Sequence, residues 1–129
     1  MDTNGNYIQN QFCSYEIALK LKELGFNEWC LAYQNNTLII YDNEEFSKNS
    51  QFEGNTVAIP IWQQAERWFR DIHNYYIAVY RLNNKWCGDV YDILGQRYIT
   101  SNALSNVLYD TYEESREQAI LKAIELCQK

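Results

Sequence analysis

His73 is the only histidine in the chain, so any Ser-His-Asp or Cys-His arrangement would have to use it. It stands beside Asn74 at the end of an amphipathic stretch, where an imidazole is expected to interact with the negative end of a helix rather than to move protons. Asp71 with Asp89 or Asp92 is the acid and base pairing on offer, but exposed helices and strands carry such carboxylates as a matter of course. The four cysteines, Cys13, Cys30, Cys87 and Cys127, include no close pair from which to build a CxxC redox site or a zinc ribbon. They read as small core residues in a reducing cytosol. No D-x-D-x-D loop and no GxGxxG or GxxxxGK loop occurs, so neither a metal nor a nucleotide cofactor is expected.

One constellation remains, aromatic and cationic together: Tyr76, Tyr80, Arg81, Lys85, Trp86, Tyr91 and Arg97, on or near one predicted hairpin. Stacking surfaces with guanidinium groups nearby suit a nucleobase with its phosphate, or a peptide partner. The plainer expectation is that the tyrosines cover a sheet while the basic groups keep its rim in water.

Charge narrows the choice. The net charge of −6 disfavours general nucleic-acid binding, which draws its affinity from neutralised phosphates. Only residues 54–97 are not acidic, because of Arg67, Arg70, Arg81, Lys85 and Arg97. Aromatic residues make up 16% of the chain, an excess that points to a sheet face meeting something. The start MDTNGNYIQNQ lacks the basic and apolar regions of a signal peptide, and no stretch approaches the ~18 apolar residues of a membrane span. A cytoplasmic protein is the expectation.

The elements that position these residues follow from periodicity. Residues 1–12 are polar and are expected to form a flexible arm. Ser14 is placed to cap a first helix that buries Ile17, Leu21 and Leu24, and Gly25 with Phe26 is placed to end it. Trp29 to Tyr33 and Thr37 to Tyr41 form a hairpin, in which the consecutive Leu38, Ile39 and Ile40 predict a central strand buried on both faces. Residues 42–58 form a long acidic loop, either a solvated insertion or a lid carrying Glu44, Glu45 and Glu53. A second helix buries Ile61, Ala65, Trp68, Phe69 and Ile72. The hairpin Tyr75 to Leu82 and Lys85 to Ile93 turns at Asn83-Asn84, one face packs on the second helix, and mid-strand Gly88 marks a bulge or a close approach. Arg97 to Thr100 is a short strand, and Thr111 with Glu114 opens a last helix as a capping box.

The order α-β-β-α-β-β-β-α predicts a single α+β domain of two layers, an antiparallel sheet of about five strands with helices on one side. The last five elements share the element order of double-stranded-RNA-binding domains. Such domains carry a basic cluster at the start of the final helix, where this chain has Asp110, Glu113 and Glu114. In sequence, FCSYEIALKLKELGFNEWCLAY, IPIWQQAERWFRDIHNYYI and YDTYEESREQAILKAIEL resemble small proteins of unknown function from gut anaerobic bacteria and their bacteriophages. That resemblance implies a phage or mobile-element setting and nothing about chemistry, since the group has no assigned activity. The expectation is a non-enzymatic binding protein, able to oligomerise, that engages a host protein or sequesters a small nucleotide-type ligand. The alternative is a nucleic-acid-binding regulator.

Overall fold

The computed structural model describes residues 8–42, 45–101 and 107–128. It is an α+β structure whose described strands form two three-stranded antiparallel sheets. The chain divides into two compact units, Met1–Ala65 and Glu66–Lys129, with the division falling inside a helix.

In the first unit, helix α1 (Tyr15–Glu23) starts where Ser14 Oγ accepts a hydrogen bond from the Ile17 amide at 3.3 Å. It stops at Gly25, whose φ of 99° lets the Phe26 amide turn back to the Leu21 carbonyl at 2.9 Å. Strands β1 (Ala32–Gln34), β2 (Leu38–Ile40) and β3 (Val57–Ile59) pair in the order β2-β1-β3. The central strand is therefore β1. Strand β2 lies at an edge with Ile39 exposed, correcting the expectation of a central strand buried on both faces. Three consecutive apolar residues carry no alternation, so they cannot say which of them meets water. Strand β3 is only Val-Ala-Ile, at the foot of the acidic stretch, too short to show a period of its own.

The helix side of this sheet carries Ala32, Val57 and Ile59, which form a core with Phe12 and Ala18, flanked by Leu19, Leu38, Ile40 and Ile61. Of the arm expected over residues 1–12, residues 1–7 lie outside the described residues, and Phe12 is buried and bridged to Ile61. Of the acidic loop, Glu44 lies outside the described residues. The stretch after it has a one-turn 3-10 helix (Asn49–Gln51) and is tied down by polar side chains. Asn49 Nδ2 donates to the Phe26 carbonyl at 2.8 Å and its Oδ1 accepts from the Ala58 amide at 2.9 Å. Tyr15 Oη and Lys22 Nζ reach from α1 to the carbonyls of Asn55 and Thr56, each at 2.9 Å.

Helix α2 (Trp62–Ile72) runs across the division. Ala65, Trp68 and Phe69 are buried as their spacing predicts, but Ile61, just before the helix, is half-buried and Ile72, at the last position, is exposed. Asn74, at φ 61°, ends the helical path, and the chain enters β4 (Tyr75–Leu82). Strand β5 (Lys85–Asp92) follows through Asn83 and Asn84, at φ 53° and 65°, the pair of left-handed residues that a tight hairpin turn needs. Strand β6 (Arg97–Ser101) completes the sheet β4-β5-β6, with a register shift at Val90/Tyr91. The helix laid on β4 and β5 is α3 (Tyr112–Cys127), where the sequence assigns the second helix. It begins where Thr111 Oγ1 accepts from the Glu114 amide at 3.1 Å. Gly88 is a point of close approach: a Cβ there would lie 3.1 Å from the Ala119 Cβ. No helix among the described residues is long and apolar enough to cross a membrane.

Candidate functional site

The seven residues singled out from the sequence fall on the second sheet, but not on one side of it. Register places Tyr76 opposite Tyr91, Tyr80 opposite Cys87 and Leu82 opposite Lys85, so Tyr76, Tyr80, Lys85 and Tyr91 share a face. Arg81 is opposite Trp86 on the other face, the one that carries Gly88 against α3. There the Trp86 ring meets Tyr112 edge-on at 5.3 Å, and the Arg81 guanidinium lies 5.6 Å from the Trp86 ring centre. Arg97 pairs with Asp92 on that same face. Two of the seven are also engaged by carboxylates. Lys85 Nζ lies 2.6 Å from Asp110 Oδ1, which raises the lysine pKa and lowers that of the aspartate. Tyr80 Oη donates to Asp89 Oδ2 at 2.9 Å, and burial, with Cys87 and Asp89 beside it, pushes the phenol's pKa up.

What the sheet does gather is a row of tyrosines across its three strands. Tyr76 faces Tyr91 in register, and the Tyr91 ring lies 5.0 Å from that of Tyr98. Tyr98 was not among the expected site residues, although alternation from Arg97 would place it on the tyrosine side.

His73 sits with its ring 4.7 Å from that of Trp68, and its Nε2 has no hydrogen-bond partner. Desolvation lowers its pKa. The imidazole is packed among aromatic rings, against Trp68 and with Phe69 at 6.1 Å. Among the described residues, no group of three or more His, Cys, Asp and Glu is placed to hold a metal ion. The four cysteines are free thiols, and burial pushes Cys30 up to about 12, far from the thiolate that a nucleophile needs.

Another exposed apolar surface is on the first unit, on the side of β2-β1-β3 away from α1. Tyr33 pairs with Ile39 and with Ala58, and alternation puts Leu31 and Tyr41 beside them. Tyr33 stacks obliquely on Tyr41 and on Phe52, with ring centres 5.5 Å apart in each case. Just before β1 the chain bends at Leu31, and Cys30 forms an isolated bridge with Ser47. Cys30 and Ser47 are buried, whereas their neighbours Trp29, Leu31 and Phe46 are exposed and Lys48 is half-buried. Trp29 is 51% exposed, Phe46 51%, Leu31 41% and Ile39 41%. A shallow hollow of about 410 Å³ lies between Trp29 and Phe46, and Lys48 Nζ stands 4.5 Å from the Trp29 ring centre. Gln64 Nε2 holds the Trp29 carbonyl at 2.8 Å, fixing the backbone under the indole.

Sequence reasoning missed this face. Its signal was the alternation Trp-Cys-Leu-Ala-Tyr over residues 29–33, large at odd positions and small at even ones. Here the small Cys30 and Ala32 are buried, while the large Trp29 and Leu31 are exposed.

No protein-family model matches the chain, and comparison with curated proteins and with solved structures gives no match.

Proposed function

We propose that this is a non-enzymatic interaction protein that docks a protein partner on the outer face of β2-β1-β3. The observation that carries the reading is that Trp29, Leu31, Ile39 and Phe46, four large apolar side chains of the first unit, are two-fifths to one-half exposed, with Trp29 and Phe46 lining one hollow. At about 200 Å² for each side chain, they present on the order of 400 Å² of apolar surface. One side of a standard interface buries about 800 Å², a little over half of it apolar, so the patch is of the size that a protein partner covers. It also lies in the range of apolar patches that are often functional on monomers.

A small ligand fits this site less well. Pockets for small molecules enclose about 70–90% of the ligand, and Trp29 and Phe46, the described residues that line this hollow, are each half exposed. A hollow of that kind suits an anchor side chain brought by a larger partner. Nucleic-acid binding is weakened as a reading by the pairing of Lys85 with Asp110 and by the split of the cationic residues over two faces. An electrophoretic shift at low salt would revive it.

The test is site-specific photo-crosslinking in cells. A benzoylphenylalanine placed at Ile39 is expected to give a discrete crosslinked protein band that the same probe at Tyr98 does not give. Crosslinking from position 98 alone would move the function to the tyrosine row.

A further inference from the structure

Charge is divided unevenly between the two units. Met1–Ala65 holds three lysines and no arginine against eight Asp and Glu, a formal charge of −5, whereas Glu66–Lys129, with eight basic and nine acidic residues, comes to −1. The exposed aromatic face belongs to the strongly acidic unit. Lys20 and Lys22 lie on α1, and Lys22 is held by the Gly54 and Thr56 carbonyls. Lys48 lies over Trp29. The unit's remaining ionisable groups are acidic or phenolic or thiol. Asp42, Glu45 and Glu53 are exposed, and each is the chain neighbour of an aromatic residue of the face, Tyr41, Phe46 and Phe52 respectively.

We propose that the partner presents a basic surface, with arginine or lysine side chains set among apolar ones. This rests on the reading of the outer sheet face as a docking surface. Charge complementarity selects the occupant. A second copy of the chain would set one unit of −5 against another, whereas a basic partner is attracted at a distance and then paired at the rim. The aromatic centre matches the same chemistry. The Trp29 indole already has an ammonium 4.5 Å from its ring centre, and a partner guanidinium can stack on such a ring while pairing with a carboxylate beside it. The apolar patch supplies contact area, and the carboxylates around it choose which protein uses that area.

The test is selection of random displayed peptides on the full chain, with the sequences enriched on wild type compared with those enriched on Phe46→Ser, Trp29→Ser and the double variant Asp42→Asn/Glu45→Gln. Enrichment of peptides rich in Arg or Lys with apolar neighbours is expected. It should disappear on Phe46→Ser and Trp29→Ser, and selected peptides should bind the double variant about fivefold more weakly, as two exposed ion pairs warrant. Two variants at the aromatic centre, each checked by circular dichroism, guard against loss through misfolding. Neutral or acidic peptides that still depend on Phe46 would overturn the basic partner while leaving the docking face intact. Enrichment unchanged by Phe46→Ser and Trp29→Ser, or no enrichment, would overturn both. Sedimentation of wild type as a dimer and of Phe46→Ser as a monomer would make a second copy the occupant and refute the proposal.

Discussion

Asn49 and Phe26 are joined by a buried hydrogen bond, the Asn49 amide donating to the Phe26 carbonyl at 2.8 Å. The same side chain accepts from the Ala58 amide at 2.9 Å, so one asparagine satisfies backbone groups on two segments. It lies two residues beyond the Cys30–Ser47 bridge, in the stretch that carries Phe46 and Lys48. Asn49→Ala strands both backbone partners in the interior, at a cost of about 2–3 kcal/mol. Urea unfolding should show this as a lower midpoint with an unchanged slope. A loss within about 0.5 kcal/mol, the range of an ordinary surface change, would show that the stretch is not held by Asn49.

Gly88→Ala should destabilise the second unit. The new methyl would lie 3.1 Å from the Ala119 Cβ and from the Ser115 carbonyl oxygen, and backbone cannot move aside as a flexible side chain can. Overpacking of this sort costs about 1–3 kcal/mol, measurable by thermal or urea unfolding. Unchanged stability would mean that α3 can lift from β5 freely.

The features that were legible in the sequence are those decided within four or five residues. Ser14, Gly25 with Phe26, the Asn83-Asn84 turn and Thr111 each act on backbone a turn away, so their residue types suffice. Partition of the strands between two sheets was not legible, because it depends on pairing Ala32 with Ile59 across a segment without period. For the same reason the hairpin's aromatic residues form a single cluster in sequence but not in space. Trp86 and Tyr80 are near in sequence, but register sends them to opposite faces. The exposed Trp29 face was written in the alternation of residues 29–33, yet alternation cannot say which side a helix covers until the partners are known.

His73 provides a clean pH readout because it is the only histidine. Desolvation lowers its pKa below the ordinary 6.5, so the folded state disfavours the protonated ring. The linked stability is fully present above the unfolded pKa and declines as pH falls from about 6.5 toward the lower folded value. Glu66 works in the opposite sense at more acidic pH, because burial raises its pKa above the ordinary 4.5. The single imidazole proton resonance should titrate with a midpoint below 6.5, and stability should become less pH-dependent between pH 7 and 6 in His73→Gln. A midpoint at or above 6.5 would contradict a ring desolvated against Trp68.

Truncation on the outer face should be nearly neutral for folding. Phe46→Ser and Leu31→Ser remove side chains that already meet water, so each should cost less than about 1 kcal/mol, whereas Phe69→Ala, fully buried, should cost about 3–5 kcal/mol. Equal losses at Phe46 and Phe69 would mean that something within the chain covers the face.

The central claim is that Trp29, Leu31, Ile39 and Phe46 form the binding surface, and calorimetric titration with the purified protein crosslinked at position 39 tests it most directly. Phe46→Ser should weaken binding at least about thirtyfold, as loss of a central aromatic anchor does, while Tyr98→Ser leaves it unchanged. Full affinity in Phe46→Ser, with loss in Tyr98→Ser, would contradict the account.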